Sequence, residues 1–272
     1  MDGQTASESR GQDAPTGGLV LALYNLLYWP YLLGSCVLLF GPALLIFAVT
    51  APFDPKRRLL HWYTCHWGAH YLAWAPLAGV RVEGLDRTRV GPCIYVSNHQ
   101  SMVDVLAVFA LRTPFLWVSK VENFYVPFLG WNMWLNNYVP LRRGHLPSIM
   151  RMVRTCHRRL REGHSLFVFP EGTRSSTGEL IRFYPGAFRL AVRFGVPIVP
   201  VVIDGTQEIL PKSQLYIRPR PVLLKVLEPV SPAEAGNDHR RLLDVVRSRM
   251  QRELHAIRGT VAGAASPSVG VE

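Results

Sequence analysis

Two side chains five positions apart are the first candidates for chemistry. His99 follows the apolar, β-branched stretch Cys93-Ile94-Tyr95-Val96-Ser97, and Asp104 stands a short way beyond it, in Asn98-His99-Gln100-Ser101-Met102-Val103-Asp104. An imidazole titrates near neutrality, so it can take a proton and give it back; a carboxylate on its other ring nitrogen fixes the tautomer and stabilises the imidazolium. In one unbroken helix the two side chains would point about 140° apart. They meet only if His99 ends a strand and Asp104 lies in the first turn of the next helix. The same residues admit a structural reading. Ser101-x-x-Asp104 fits a helix capping box, which would make Asp104 a helix starter and His99 a polar strand end.

Three further blocks close predicted strands. They are Tyr138-Val139-Pro140-Leu141-Arg142-Arg143-Gly144, Phe169-Pro170-Glu171-Gly172-Thr173-Arg174-Ser175 and Val196-Pro197-Ile198-Val199-Pro200-Val201. Ligands of α/β sheets gather where strands end. Arginines there suit a phosphate, because the planar guanidinium binds its oxygens two at a time, and Gly172 permits a tight turn and close approach of substrate. Taken one at a time, each block has a plainer meaning: a solvated arginine, a turn, or prolines punctuating an edge strand.

The elements that must position these blocks follow an α/β pattern from Gly79 onward. Strands are predicted over Val80–Val82, Cys93–Ser97, Phe115–Ser119, Tyr138–Leu141, Ser165–Phe169, Ile198–Ile203 and Val222–Leu227, and helices over Val103–Leu111, Pro147–Glu162, Gly186–Phe194 and His239–Ile257. In the second helix Ile149, Val153, Cys156 and Leu160 make an apolar face, and Arg151, Arg154, Arg158 and Arg161 a separate basic one. Such a stripe is a solvated surface or, beside a membrane anchor, a contact for anionic lipid.

Ahead of this region, residues 1–17 are polar and read as a disordered tail. Gly18 to Thr50 carries no charge, a run well beyond the roughly 20 residues that a membrane helix requires. Pro30 and Pro42 interrupt it, which leaves either one kinked span or two short helices in a hairpin. Lys56-Arg57-Arg58 follows at once, and the positive-inside rule places what comes next on the cytoplasmic side of an inner or cytoplasmic membrane. Leu59–Leu77 is rich in aromatic residues; Tyr63, Trp67, Tyr71 and Trp74 share a helical face suited to the headgroup region. His66 and His70 stand four apart, with no acid or third ligand beside them to make a metal site. The expected organisation is a tail over 1–17, membrane-anchoring and interfacial helices over 18–77, a catalytic domain over 78–258 and a second disordered tail over 259–272.

Composition narrows the partners. The chain has 272 residues, 49% of them hydrophobic, and 30 Lys+Arg against 19 Asp+Glu give a formal net charge of +11. That balance predicts anionic partners; the apolar N-terminal third favours lipid, and no nucleic-acid recognition motif appears. The four cysteines form no C-x-x-C pair, so neither a zinc site nor a disulfide framework is indicated.

Together the blocks resemble the glycerolipid acyltransferase family, most of all its 1-acyl-glycerol-3-phosphate (lysophosphatidic acid) acyltransferases. The resemblance covers about Trp62 to Leu227. His99 to Asp104 is similar to the family's H-x4-D block, Phe169–Ser175 to its F-P-E-G-T-R-S block and Val196–Val201 to its last, proline-containing block; the Leu141-Arg142-Arg143 block is looser. The resemblance implies a mixed central sheet flanked by helices, with an N-terminal membrane-anchoring helical segment. It implies His99 as general base toward the sn-2 hydroxyl of a lysophospholipid, and Asp104 holding that imidazole. Glu171, Gly172, Thr173 and Arg174 would bind the glycerol phosphate, with Arg142 or Arg143 and Lys120 assisting. The acyl group would come from a thioester of coenzyme A or acyl carrier protein as co-substrate, with no cofactor and no metal. An acceptor such as glycerol 3-phosphate or a lyso-aminolipid stays open. A serine lipid hydrolase using Ser97, Ser101 or Ser175 is the rival reading, against which stands the absence of a G-x-S-x-G elbow.

Overall fold

A computed structural model of the chain describes residues 18–73, 79–212, 214–218 and 220–264. Seven strands make one sheet: β1 (Val80–Glu83), β2 (Ile94–Ser97), β3 (Leu116–Lys120), β4 (Val139–Leu141), β5 (Leu166–Val168), β6 (Ile198–Asp204) and β7 (Val222–Val226). Their order across the sheet is β1-β7-β6-β2-β5-β3-β4. The pairs from β6 through β2, β5 and β3 to β4 are all parallel. β7 runs antiparallel to β6, and β1 parallel to β7, so the sheet is mixed as expected. The central strands are buried on both faces. Every residue of β2 is buried, as are the first six of β6, which explains why these strands read as continuous apolar runs rather than alternating ones.

The helices are α1 (Gly18–Thr50), α2 (Arg58–Ala73), α3 (Val103–Val108), α4 (Leu129–Leu135), α5 (Leu146–Arg161), α6 (Gly186–Phe194), α7 (Thr206–Ile209) and α8 (His239–Ala264). All four helices predicted within the α/β region are present, the first finishing in a tighter 3-10 turn over Phe109–Leu111. Two were not anticipated. α4 has only seven residues, and α7 has four; neither is long enough to display a helical period. α8 continues to Ala264, so residues 259–264 belong to a helix rather than to the expected tail. The tail over 1–17, Trp74–Leu77 and the end of the chain from 265 lie outside the described residues.

α1 is one continuous helix of 33 residues, with Pro30 and Pro42 inside it. Both prolines stand on its exposed side. One face packs lengthwise on the rest of the molecule. Near its start, Asn25 clasps the backbone of Ile217, donating from Nδ2 to the carbonyl (2.9 Å) and accepting the amide at Oδ1 (2.7 Å). Further along, the Tyr63 hydroxyl donates to Leu39 O (2.9 Å), Ser35 Oγ lies 2.9 Å from the Tyr71 hydroxyl, and Phe40 meets Phe128 and Trp131 edge-on. The opposite face bears an exposed apolar stripe that includes Leu19, Leu23, Leu26, Leu33, Leu38 and Leu45. Because the packed face runs from Asn25 to Ala43, α1 lies along the domain.

The aromatic face of α2 departs from the sequence expectation. Trp67 and Tyr71 are buried and Tyr63 half-buried, sealing α2 against α1 rather than facing lipid. Trp67 Nε1 donates to the Tyr71 hydroxyl (2.9 Å), so the polar ends of both rings are satisfied inside this contact. The exposed ring is Trp62.

Candidate active site

The bend between β2 and α3 is held by side chains that imitate backbone. Past the last rung of the β2–β6 ladder, Asn98 Nδ2 donates to Ile203 O and Asn98 Oδ1 accepts the Ile203 amide, both at 2.8 Å. Gln100 Nε2 donates to the same carbonyl (2.8 Å), and the Ser101 hydroxyl donates to Leu210 O (2.7 Å). Asn98, Gln100 and Ser101 are buried, whereas the His99 side chain keeps 13% of its surface exposed. The bend therefore hides its neighbours and presents the histidine.

His99 and Asp104 meet. Nδ1 lies 2.8 Å from Asp104 Oδ2, and the carboxylate is completely buried. The same oxygen accepts the amides of Gln100 (2.6 Å) and Ser101 (2.8 Å), while Oδ1 accepts the Thr206 hydroxyl. The capping-box reading is thus also realised in part: Asp104 reaches back to the Ser101 amide, and Ser101 Oγ accepts the amide of Val103 (3.2 Å). With three other donors on its two oxygens, the carboxylate serves as acceptor throughout. Nδ1 then carries the proton and Nε2 the lone pair. Nε2 has no hydrogen-bond partner among the described residues. The ring stacks on Phe169 at 4.1 Å and 12°, and Phe169 stacks in turn on Trp117.

Phe169 belongs to the loop that follows β5. Gly172 in that loop has φ 68°, and a Cβ there would press on the Tyr184 ring, so the turn requires glycine. The Ser175 amide donates to His99 O (2.7 Å), tying this loop to the bend. Glu171 is buried, its Oε1 accepting the His99 amide (3.2 Å) and its Oε2 buried without a partner. Burial pushes its pKa up to about 8; the amides of His99 and Ile181 oppose that shift, and the charge of Asp104 adds to it. Glu171 thus braces the histidine's backbone, turned away from solvent. Thr173 is exposed, and Arg174 is half-buried with its carbonyl taking Lys212 Nζ (3.2 Å).

The remaining expected residues stand farther along the same edge. Because β6, β2, β5, β3 and β4 are parallel, their carboxyl ends share one side of the sheet, presenting Thr206, His99, Glu171–Arg174, Lys120 and Arg142–Arg143 in that order. Three strand spacings separate β2 from β4, or about 14 Å. Arg142 and Arg143 are exposed, and Lys120 is exposed beside Glu122 (3.7 Å). None of these three has a hydrogen bond or ion pair to His99, Asp104 or Glu171–Arg174 among the described residues. Of the serines in the rival reading, Ser97 and Ser101 give their hydroxyls to backbone carbonyls, and Ser175 Oγ lies 3.4 Å from Thr177 Oγ1. None bonds the His99 ring. Sequence reasoning missed Thr206. Its available signal was Gly205, which ends β6 at φ 90° where a Cβ would collide with the Pro221 carbonyl; a glycine closing a buried strand marks a turn that aims the next side chain.

Comparison with known proteins gives the chain's family. Residues 79–204 match the family model described as Acyltransferase. A 1-acyl-sn-glycerol-3-phosphate acyltransferase of Chlamydomonas reinhardtii is 31% identical over 83% of this chain and 67% of its own length. The chain belongs to the glycerolipid acyltransferase family. A chloroplastic 1-acyl-sn-glycerol-3-phosphate acyltransferase of Arabidopsis thaliana is 38% identical over 58% of this chain, and the matched part is 45% of that protein, so the chain spans less than half of this relative. The crystal structure of the 1-acyl-sn-glycerophosphate acyltransferase of Thermotoga maritima superposes with a TM-score of 0.74 at 27% identity, covering 88% of this chain and 98% of that one. The expected fold is therefore that of the family, mixed sheet and N-terminal apolar helix included.

Two measurements test the site of this acyltransferase-family member. Thr206→Val removes one donor from a buried carboxylate and lowers stability by about 2 kcal/mol, while Thr206→Ser restores it; thermal unfolding in detergent gives both values. The raised pKa of Glu171 means that the folded chain binds more protons than the unfolded one between the ordinary glutamate value and about 8. Stability therefore falls as pH rises through that window. Glu171→Gln, which keeps the acceptor for the His99 amide, shows a flatter profile from pH 5 to 8 and gains on the wild type toward pH 8. Parallel profiles would contradict the assignment.

Proposed function

We propose that this chain transfers an acyl group from a thioester to the sn-2 hydroxyl of 1-acyl-glycerol 3-phosphate, giving phosphatidic acid. The observation that carries the reading is the 2.8 Å contact of His99 Nδ1 with a buried, fully engaged Asp104, which leaves Nε2 without a partner. Nε2 takes the proton of the acceptor hydroxyl as its oxygen attacks the thioester carbonyl. Asp104 orients the ring and stabilises the imidazolium. Collapse of the tetrahedral intermediate expels the thiolate, which receives the proton back from His99. No covalent acyl-enzyme forms, consistent with the three candidate serines having their hydroxyls directed elsewhere.

Arg174 and the amides around Gly172 are the nearest candidates for the glycerol phosphate, being in the loop hydrogen-bonded to His99. Arg142, Arg143 and Lys120 stand one to two strands farther along and approach the same phosphate, or that of the donor, by side-chain reach. Glu171 acts by bracing the bend. The donor is acyl-coenzyme A or an acyl carrier protein; the positive surface suits the phosphates of the first and the acidic surface of the second. No metal takes part on this reading, so prior dialysis against EDTA leaves the rate unchanged.

The exposed stripe of α1, opposite a face packed from Asn25 to Ala43, supports a helix lying in the plane of one leaflet. The cations at Lys56–Arg58 favour the cytoplasmic leaflet and an anionic surface.

Purified protein in detergent, assayed with lysophosphatidic acid, glycerol 3-phosphate, lysophosphatidylethanolamine and a lyso-aminolipid against both donors, tests the reading. Lysophosphatidic acid is the preferred acceptor, and His99→Ala lowers kcat by about 10²–10⁴-fold. A preference for a phosphate-free acceptor would overturn the substrate assignment. Unimpaired transfer by His99→Ala would overturn the mechanism.

A further inference from the structure

The opposite edge of the sheet, where the parallel strands begin, holds a cavity of about 320 Å³. It opens among the residues that precede β2, β3 and β5 and the turn between α1 and α2. Four cations line it, Lys56, Arg57, Arg58 and Arg89, and no carboxylate does. None of the four has an ion-pair partner among the described residues. His61, also in the wall, adds no charge: it is buried between the Tyr138 hydroxyl and Thr113 O, and burial pushes its pKa down to about 4. His164 is held below its ordinary value by burial and then by Arg159, Lys56 and Arg58, against the opposing charge of Glu162, whose Oε2 lies 3.8 Å from its Nε2.

Arg57 is the telling residue. It adopts φ 55°, a left-handed conformation uncommon for arginine. Its guanidinium lies over the Phe47 ring of α1 at 4.5 Å. Its Nε and Nη1 are buried against the protein, so only the rest of the guanidinium is open to the cavity. Lys56 is held across the cavity by donating to Gly163 O (3.4 Å). Four cations without an ion-pair partner around one cavity, with no carboxylate in its lining, are the arrangement that receives phosphate oxygens.

We propose that this cavity binds a phosphate-bearing anion, and that its occupant is the headgroup of an anionic phospholipid. The membrane side of the argument comes from its surroundings. The cavity begins where α1 ends, and Phe53, Leu59 and Trp62, close in sequence to its lining residues Lys56–Arg58 and His61, are exposed. Large apolar side chains beside unpaired cations are the signature of a surface seated among headgroups. The site is separate from His99: β2 alone puts four residues, about 13 Å, between the two edges. The proposal uses the placement of α1 against a membrane but not the acyl-transfer reading.

Native mass spectrometry of the full-length His99→Ala chain in detergent tests it, so that catalysis has no bearing on the outcome. With equimolar phosphatidylglycerol and phosphatidylcholine, the protein retains one phosphatidylglycerol at least tenfold more than phosphatidylcholine, and millimolar pyrophosphate displaces it. Arg57→Gln with Arg89→Gln abolishes the preference. Arg89→Gln alone, whose side chain has no hydrogen bond or ion pair among the described residues, weakens it without altering thermal unfolding. Arg151→Gln with Arg154→Gln, on the exposed stripe of α5, leaves it intact. Retention unchanged in the Arg57/Arg89 variant, or lost equally in the Arg151/Arg154 variant, would overturn the site. Pyrophosphate binding without lipid retention would overturn the lipid occupant and assign the cavity to a soluble phosphate.

Discussion

A carboxylate with no exposed surface is the constraint around which this molecule is arranged. Taking Asp104 out of water costs several kcal/mol unless its oxygens are fully engaged, and they are: two amides and a ring nitrogen on one oxygen, a hydroxyl on the other. Those donors come from two places in the chain. The amides and the imidazole belong to the bend after β2, and the hydroxyl belongs to the turn after β6. Satisfying the acid therefore requires β2 and β6 to be adjacent and in register, which the Asn98 clasp on Ile203 extends beyond the last rung of the ladder. The central pairing of the sheet and the histidine's orientation are one structural fact.

That coupling also explains what the sequence reveals. The strands are legible because buried parallel strands must be apolar throughout, and Ile94–Val96 and Ile198–Val202 satisfy this without exception. The contact of His99 with Asp104 is legible because a five-residue interval has one way to bring the two together. Thr206 is not legible by the same logic. Its role depends on β6 lying beside β2, and no local pattern encodes which strand neighbours which. The course of α1 was open for a related reason. Two prolines argue for a break, yet both fall on the exposed side of α1, and the helix continues. The aromatic face of α2 reads equally well as membrane-facing or core-facing; only the presence of α1 decides that Trp67 and Tyr71 are enclosed.

Glu171 shows the limit of reading a motif by residue type. An acid beside an arginine within a strand-end block invites a role in ligand contact. Burial gives it a structural part as well: a buried group whose second oxygen lacks a partner is favoured as the neutral acid, and its first oxygen accepts the backbone amide of His99. Through that bond it ties the bend to the loop after β5. The Ser175 amide does the same from the other end of that loop. The block thereby combines a structural half, Glu171 and Ser175, with a half that remains open to solvent, Thr173 and Arg174.

α1 joins the two edges of the sheet. Near its start, Asn25 and Trp29 hold the backbone of Ile217 and Leu215, a few residues beyond Leu210, whose carbonyl receives the Ser101 hydroxyl. At its end, Phe47 carries the Arg57 guanidinium over the basic cavity. A helix of this length spans about 50 Å, and its exposed apolar stripe runs between those two points. A membrane that accepts the stripe is therefore brought level with the His99 edge and the basic edge together. On the proposed reading, an acceptor lipid in that orientation reaches the imidazole without leaving its leaflet, because the apolar stripe of α1 and the bend that holds the histidine are tied to the same stretch of backbone.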